Sequence, residues 1–183
     1  ELEKLELLPF KKAMDAGVDL LMTAHIQYPQ IEKDQVVSKE TGEKIYVPAT
    51  LSDDILTGLV RKKYGYKGVI VSDAMGMDAI AKNFGEVEAV KMAIKAGVDL
   101  VLMPTTLRSK ADLTKIDTIV DEVVRAVQTG DISEERLNES VRRILTLKEK
   151  RGVLNFDPSA RTPEKAEEAV GSNLNRDLER KIA

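Results

Sequence analysis

The sequence predicts an α/β protein, a parallel sheet of short buried strands covered by helices. Three observations predict it. Residues 13–22 are echoed by residues 93–103, an internal repeat offset by 80 positions in which a helix end, a glycine and an apolar run follow one another. A third unit of the same kind, residues 63–68 leading into Val69-Ile70-Val71, lies between the copies. Short, fully apolar strands that alternate with helices indicate a parallel sheet covered on both faces. Finally, Ser72-Asp73-Ala74-Met75-Gly76-Met77 sets an acidic side chain where the middle strand should stop. The carboxyl ends of parallel strands are where such folds bind ligands and do chemistry.

Each element has a legible cause. Pro9 suits the first turn of a helix, and Gly17 ends that helix before a strand near residues 18–24. Residues 27–49 form a long polar connection in which Val36-Val37 and Ile45-Tyr46-Val47 can pair as a hairpin around Lys39–Lys44. That hairpin serves equally well as part of a site rim or as surface decoration. Ser52 caps the next helix, with Leu51 and Leu56 as a hydrophobic staple across the cap. Ile55, Leu56, Leu59 and Val60 make its apolar face, and Gly65 stops it. A strand over residues 68–73 follows, then a helix over 85–96 and a strand over 98–103. Residues 104–110 are a second candidate for the rim. Leu113, Ile116, Val120, Val123 and Val127 mark a helix ended by Gly130. Ser133 caps another, whose Val141, Ile144 and Leu145 should be buried. Residues 155–163 read as a linker, and Thr162-Pro163 opens a polar helix.

Three parallel strands cannot stand alone, because their edges and inner face would be exposed. The remaining strands are expected from polypeptide outside these 183 residues.

Composition excludes several function classes. Apolar residues make up 43% and charged residues 32%, an ordinary globular balance. A net charge of −3 offers no electrostatic footing for nucleic acid. No apolar run approaches the roughly 20 residues of a membrane span. The chain has no cysteine, hence no disulfide or thiolate metal site, and neither an HExxH motif nor a glycine-rich phosphate loop. No metal, nucleotide or other cofactor is expected. Asp53-Asp54 and Glu134-Glu135 lie at helix starts, and Lys148-Glu149-Lys150-Arg151 at a helix end, where the helix dipole favours such charges.

Asp73 remains. On position alone it can be a nucleophile, a general base, a metal ligand or, with Ser72, a cap of the following helix. Leu8-Pro9-Phe10, Met22-Thr23-Ala24-His25-Ile26, Pro48-Ala49-Thr50-Leu51-Ser52, the segment 68–77 and Ala96-Gly97-Val98-Asp99 occur in one order along the chain. That ordered set resembles glycoside hydrolase family 3, in particular its β-N-acetylglucosaminidase branch, over about residues 8–152.

The resemblance implies that residues 1–152 are the C-terminal portion of a (β/α)8 TIM-type barrel. It further implies that residues 153–183 are a linker and the start of a second domain. Asp73 matches the family's catalytic nucleophile. The implied activity is retaining removal of terminal β-linked N-acetylglucosamine, as in cell-wall turnover, with a carbohydrate substrate. The branch carries its proton donor as a histidine upstream of the segment matching Leu8-Pro9, so the N-terminal half of the same enzyme is an implied partner. His25, the only histidine, falls at another strand end and is expected to orient Asp73 or touch a sugar hydroxyl. Met75 and Met77 are expected to pack under the sugar, with Met77 as the second substrate-side residue. Two rivals stand beside this reading. One is family 3 β-glucosidase specificity, and the other is a non-catalytic barrel in which Asp73 only caps a helix.

Overall fold

The computed structural model describes residues 2, 4–155 and 162–182. Glu1–Leu147 and Lys148–Ala183 form two separate compact units. In the first, helix α1 (Leu7–Asp15) ends at Gly17, whose φ of +82° is open to glycine at no steric cost. Strand β1 (Leu20–Met22) follows. The expected hairpin is present as β2 (Gln35–Val37) and β3 (Lys44–Tyr46), paired antiparallel. Its base closes through an antiparallel bridge between Gln27 and Pro48. Ser52 Oγ accepts the Ile55 N–H at 3.1 Å, which caps the π-helix Asp54–Lys63. Leu51 and Leu56, the staple across that cap, are both buried.

Strand β4 (Val69–Val71) pairs parallel with β1 in the register Leu20–Val69, Leu21–Ile70 and Met22–Val71. Two helices come next. The first, α2 (Asp78–Phe84), was not expected from the sequence; the second, α3 (Glu86–Ala96), was. Seven residues form no stable helix in isolation. Burial of Ile80 and Phe84 holds α2 in place, each contributing about 1.5–3 kcal/mol. Helix α4 (Leu113–Gln128) and helix α5 (Glu134–Lys150) follow, and on α5 Val141 and Leu145 are about half exposed, not buried as expected.

The third strand needs correcting. Residues 98–103 form no regular strand, only a parallel bridge between Val71 and Leu100. The cause lies in two side chains. Asp99 Oδ2 takes the Ile70 N–H at 2.9 Å, and Ser72 Oγ takes the Leu102 N–H at 2.9 Å, so side chains replace ladder partners.

The two faces of this sheet differ sharply. Leu21 and Ile70 face the helices and belong with the main apolar core, alongside Leu56, Val60, Ile80, Phe84 and Val98. On the opposite face Leu20, Met22, Leu100 and Leu102 stand 37–52% exposed. Such a row of uncovered apolar residues is unusual for a finished domain.

In the second unit Thr162 Oγ1 accepts the Lys165 N–H and opens α6 (Pro163–Ala169). Helix α7 (Asn173–Ile182) follows. Of the expected linker, residues 156–161 lie outside the described residues. No described helix is long and apolar enough to cross a membrane.

Candidate active site

Asp73 leaves β4 at its carboxyl end and is half-buried. The strand period places Val69, Val71 and Asp73 on one face, the face shared by Met22 and Leu100. Neither Ser72 nor Asp73 caps the next helix. Helix α2 starts five residues further on with Met77 at its cap. The Ser72 hydroxyl is used by Leu102, and Asp73 Oδ1 accepts the N–H of its neighbour Ala74 at 2.7 Å. Oδ2 has no bond to any described residue.

His25 is at the same end of the sheet but on the other face, continuing the parity of Leu21 and Thr23. Both ring nitrogens are engaged. Nε2 lies 3.0 Å from the Ala74 carbonyl, and Nδ1 lies 3.0 Å from Thr50 Oγ1. Thr50 is fully buried and also meets Thr23 Oγ1 at 2.8 Å. Thr23 Oγ1 in turn accepts the Asp73 N–H at 3.4 Å. Thus His25 and Asp73 are brought together through Ala74. A bond from His25 to a sugar hydroxyl would require one of these contacts to be given up.

The two methionines separate. Met75 is enclosed in the core, whereas Met77 is 48% exposed beside the strand end. The surrounding segments are tied down. Gly76 N–H donates to the Met103 carbonyl at 3.0 Å, and a Cβ on Gly76 would lie 3.1 Å from Thr106 Oγ1. Met103 itself adopts φ +44°, a left-handed value rare outside glycine. Thr105 Oγ1 donates to Glu86 at 2.8 Å. The expected second rim segment therefore begins against the residues that follow Asp73. The hairpin is docked as well: Lys39 N–H reaches the Asn83 carbonyl at 2.9 Å, and Ser38 Oγ reaches Asn83 Oδ1 at 2.6 Å.

Sequence reasoning missed the other polar cluster. The Asp99 carboxylate is fully enclosed and meets Arg61, Arg136 and Arg143. These arginines line a cleft with Lys62, Lys67 and Lys95. It opens at the amino ends of the strands, away from Asp73, and its guanidiniums are occupied by Asp99, Glu139 and backbone carbonyls. We read it as architecture that ties α5 and the π-helix to the sheet. The spacing of Arg136 and Arg143, two turns apart on one helix, was the signal that could have revealed it.

Helix-covered parallel strands with an acid held at their carboxyl end define an α/β domain of the class whose ligand sites lie at that end. The chain belongs to a specific family of this class, because residues 1–147 match the family described as glycosyl hydrolase family 3 N terminal domain, a TIM-barrel-like α/β fold. It is 35% identical to beta-hexosaminidase A of Pseudoalteromonas piscicida, over all of this chain and 30% of that protein. It is 28% identical to the beta-N-acetylglucosaminidase/beta-glucosidase of Cellulomonas fimi, over 79% of this chain and 24% of that one. Among solved structures, the family 3 beta-N-acetylglucosaminidase of Paenibacillus sp. str. FPU-7 matches 91% of this chain and 30% of its own. The TM-score there is 0.71 at 37% identity. The chain thus spans less than a third of the length of each of these relatives.

Proposed function

We propose that this chain is the C-terminal portion of the catalytic barrel of a retaining glycoside hydrolase that removes terminal β-linked N-acetylglucosamine. The observation that carries this is the half-buried Asp73 carboxylate at the carboxyl end of β4, with one oxygen held by Ala74 and the other open. Family membership and the hexosaminidase relatives support the substrate class. Asp73 attacks the anomeric carbon, the bond to the leaving oxygen breaks, and a proton donor protonates that oxygen. Water, deprotonated by the same donor, then releases the sugar with its configuration retained.

The proton donor and the remaining barrel strands come, on this reading, from polypeptide outside these residues. The exposed inner face of the sheet supports that, since Leu20, Met22, Leu100 and Leu102 would be covered in a closed barrel. Residues 1–152 then form part of the barrel, and residues 153–183 a linker and the start of a second domain. His25 and Met77 border the sugar site. Alone, the chain is inactive. Specificity for glucosides is the second reading, favoured by the dual name of the Cellulomonas fimi relative.

The test is Asp73→Asn in the longer protein that carries this chain. Turnover of aryl β-N-acetylglucosaminide should be abolished with the circular dichroism spectrum unchanged. Retention of most activity would assign Asp73 a structural role.

A further inference from the structure

We infer that His25, Thr50 and Thr23 form a closed hydrogen-bonded clamp that positions the Asp73 carboxylate, with His25 acting as a neutral ring protonated on Nε2. The clamp spans two backbone groups, the Asp73 N–H and the Ala74 carbonyl. A carbonyl oxygen only accepts, so Nε2 must carry hydrogen to bond Ala74. The remaining directions then follow one another. Asp73 N–H donates to Thr23 Oγ1, Thr23 donates to Thr50 Oγ1, and Thr50 donates to His25 Nδ1. Every hydroxyl gives one bond and receives one.

A doubly protonated ring breaks this sequence. Nδ1–H would donate to Thr50, Thr50 to Thr23, and Thr23 would receive two donors with no acceptor for its own hydrogen among the described residues. Only the neutral form satisfies every member from within the cluster.

The consequence falls on the carboxylate. Ala74 N–H holds Asp73 Oδ1 at 2.7 Å, and His25 holds the carbonyl of the same residue. The clamp therefore fixes Oδ1 through Ala74 and leaves Oδ2 as the attacking oxygen. His25, Thr23 and Thr50 are positioning residues, because none of them touches that oxygen. Their side chains issue from the segment just after β1 and from the 3₁₀ turn Ala49–Leu51, on the helix-facing side of the strand end. The effect on rate rests on the proposed hydrolase reading; the clamp itself does not.

Two experiments separate these. First, His25 is the only histidine of the chain, so ¹⁵N-histidine labelling confined to these residues within the longer protein reports its imidazole shifts without overlap. The neutral ring should show hydrogen on Nε2 and a hydrogen-bonded, unprotonated Nδ1. Thr50→Val should shift the Nδ1 resonance toward its free value. Hydrogen on Nδ1, or no response to Thr50→Val, would overturn the clamp whatever the enzyme does.

Second, in the full-length enzyme His25→Phe should lower kcat by on the order of 10²-fold, the cost of a small misplacement of a reacting group, with KM little changed. His25→Gln, whose amide can still donate to the Ala74 carbonyl, should recover most of that loss. Thr50→Val combined with His25→Phe should cost no more than His25→Phe alone. If Gln is as damaging as Phe, and a leaving group that needs no protonation restores both, His25 transfers protons and the positioning role is wrong. Additive losses would likewise overturn it. Absence of any glycosidase activity in the unaltered full-length protein would sink the hydrolase reading and leave the imidazole result to decide the clamp.

Discussion

Arg143 Nη1 lies 3.0 Å from Asp99 Oδ1, on a carboxylate that Arg61 and Arg136 also reach. Three guanidiniums around one enclosed carboxylate are tolerable because Glu139 pairs with Arg143 and because backbone carbonyls of Tyr66, Ile94 and Val98 accept from Arg61 and Arg136. Burial holds the Arg61 guanidinium below its usual pKa, and the Asp99 charge works against that. Asp99→Asn should therefore destabilise the fold by about 3–5 kcal/mol, since it leaves buried cations without their counter-charge. Urea unfolding measures this, and a loss under about 1 kcal/mol would contradict it.

Gly68 is required by close approach. A Cβ there would collide with Tyr66 Oη and sit 2.8 Å from the Asp19 carbonyl oxygen. Gly68→Ala should cost about 1–3 kcal/mol, because one of those neighbours belongs to the backbone and cannot turn aside. The Gly68→Ala, Tyr66→Phe double variant should recover part of the loss by removing the hydroxyl.

Tyr66 should ionise at higher pH than a free phenol. Burial pushes its phenol up to about 12, although nearby Arg61 acts in the opposite sense. The folded state then holds this proton more tightly than the unfolded chain, whose phenol titrates near 10. The resulting stability is present in full below pH 10 and is lost between pH 10 and 12. Phenolate absorbance should show a step near pH 12 that Tyr66→Phe removes.

The exposed inner face predicts the behaviour of the chain in isolation. Leu20, Met22, Leu100 and Leu102 should drive association or bind an apolar dye. Sedimentation velocity checks this. A monodisperse monomer that unfolds cooperatively would mean that the sheet needs no further strands.

Local chemistry was readable along the sequence where it acts over a few residues. The Ser52 cap, the Leu51–Leu56 staple, the hairpin and the Thr162 cap all depend on neighbours in the chain. What could not be read depends on distant partners. Thr50 meets Thr23 and His25 only because the excursion between them closes at Gln27 and Pro48. The strand expected over 98–103 lost its ladder to the side chains of Asp99 and Ser72, which no periodicity records. Helix α2 presents only Ile80 and Phe84 as buried apolar positions, too few for a visible period. The position of Asp73 at a strand end was legible. The clamp beneath it was not.

The most direct measurement uses a 2-deoxy-2-fluoro or equivalent mechanism-based glycoside on the full-length enzyme, followed by proteolysis and mass spectrometry. One sugar is expected on the peptide that contains Asp73, and none in Asp73→Asn. Sugar on any other residue, or turnover with inverted configuration and no covalent adduct, would contradict it.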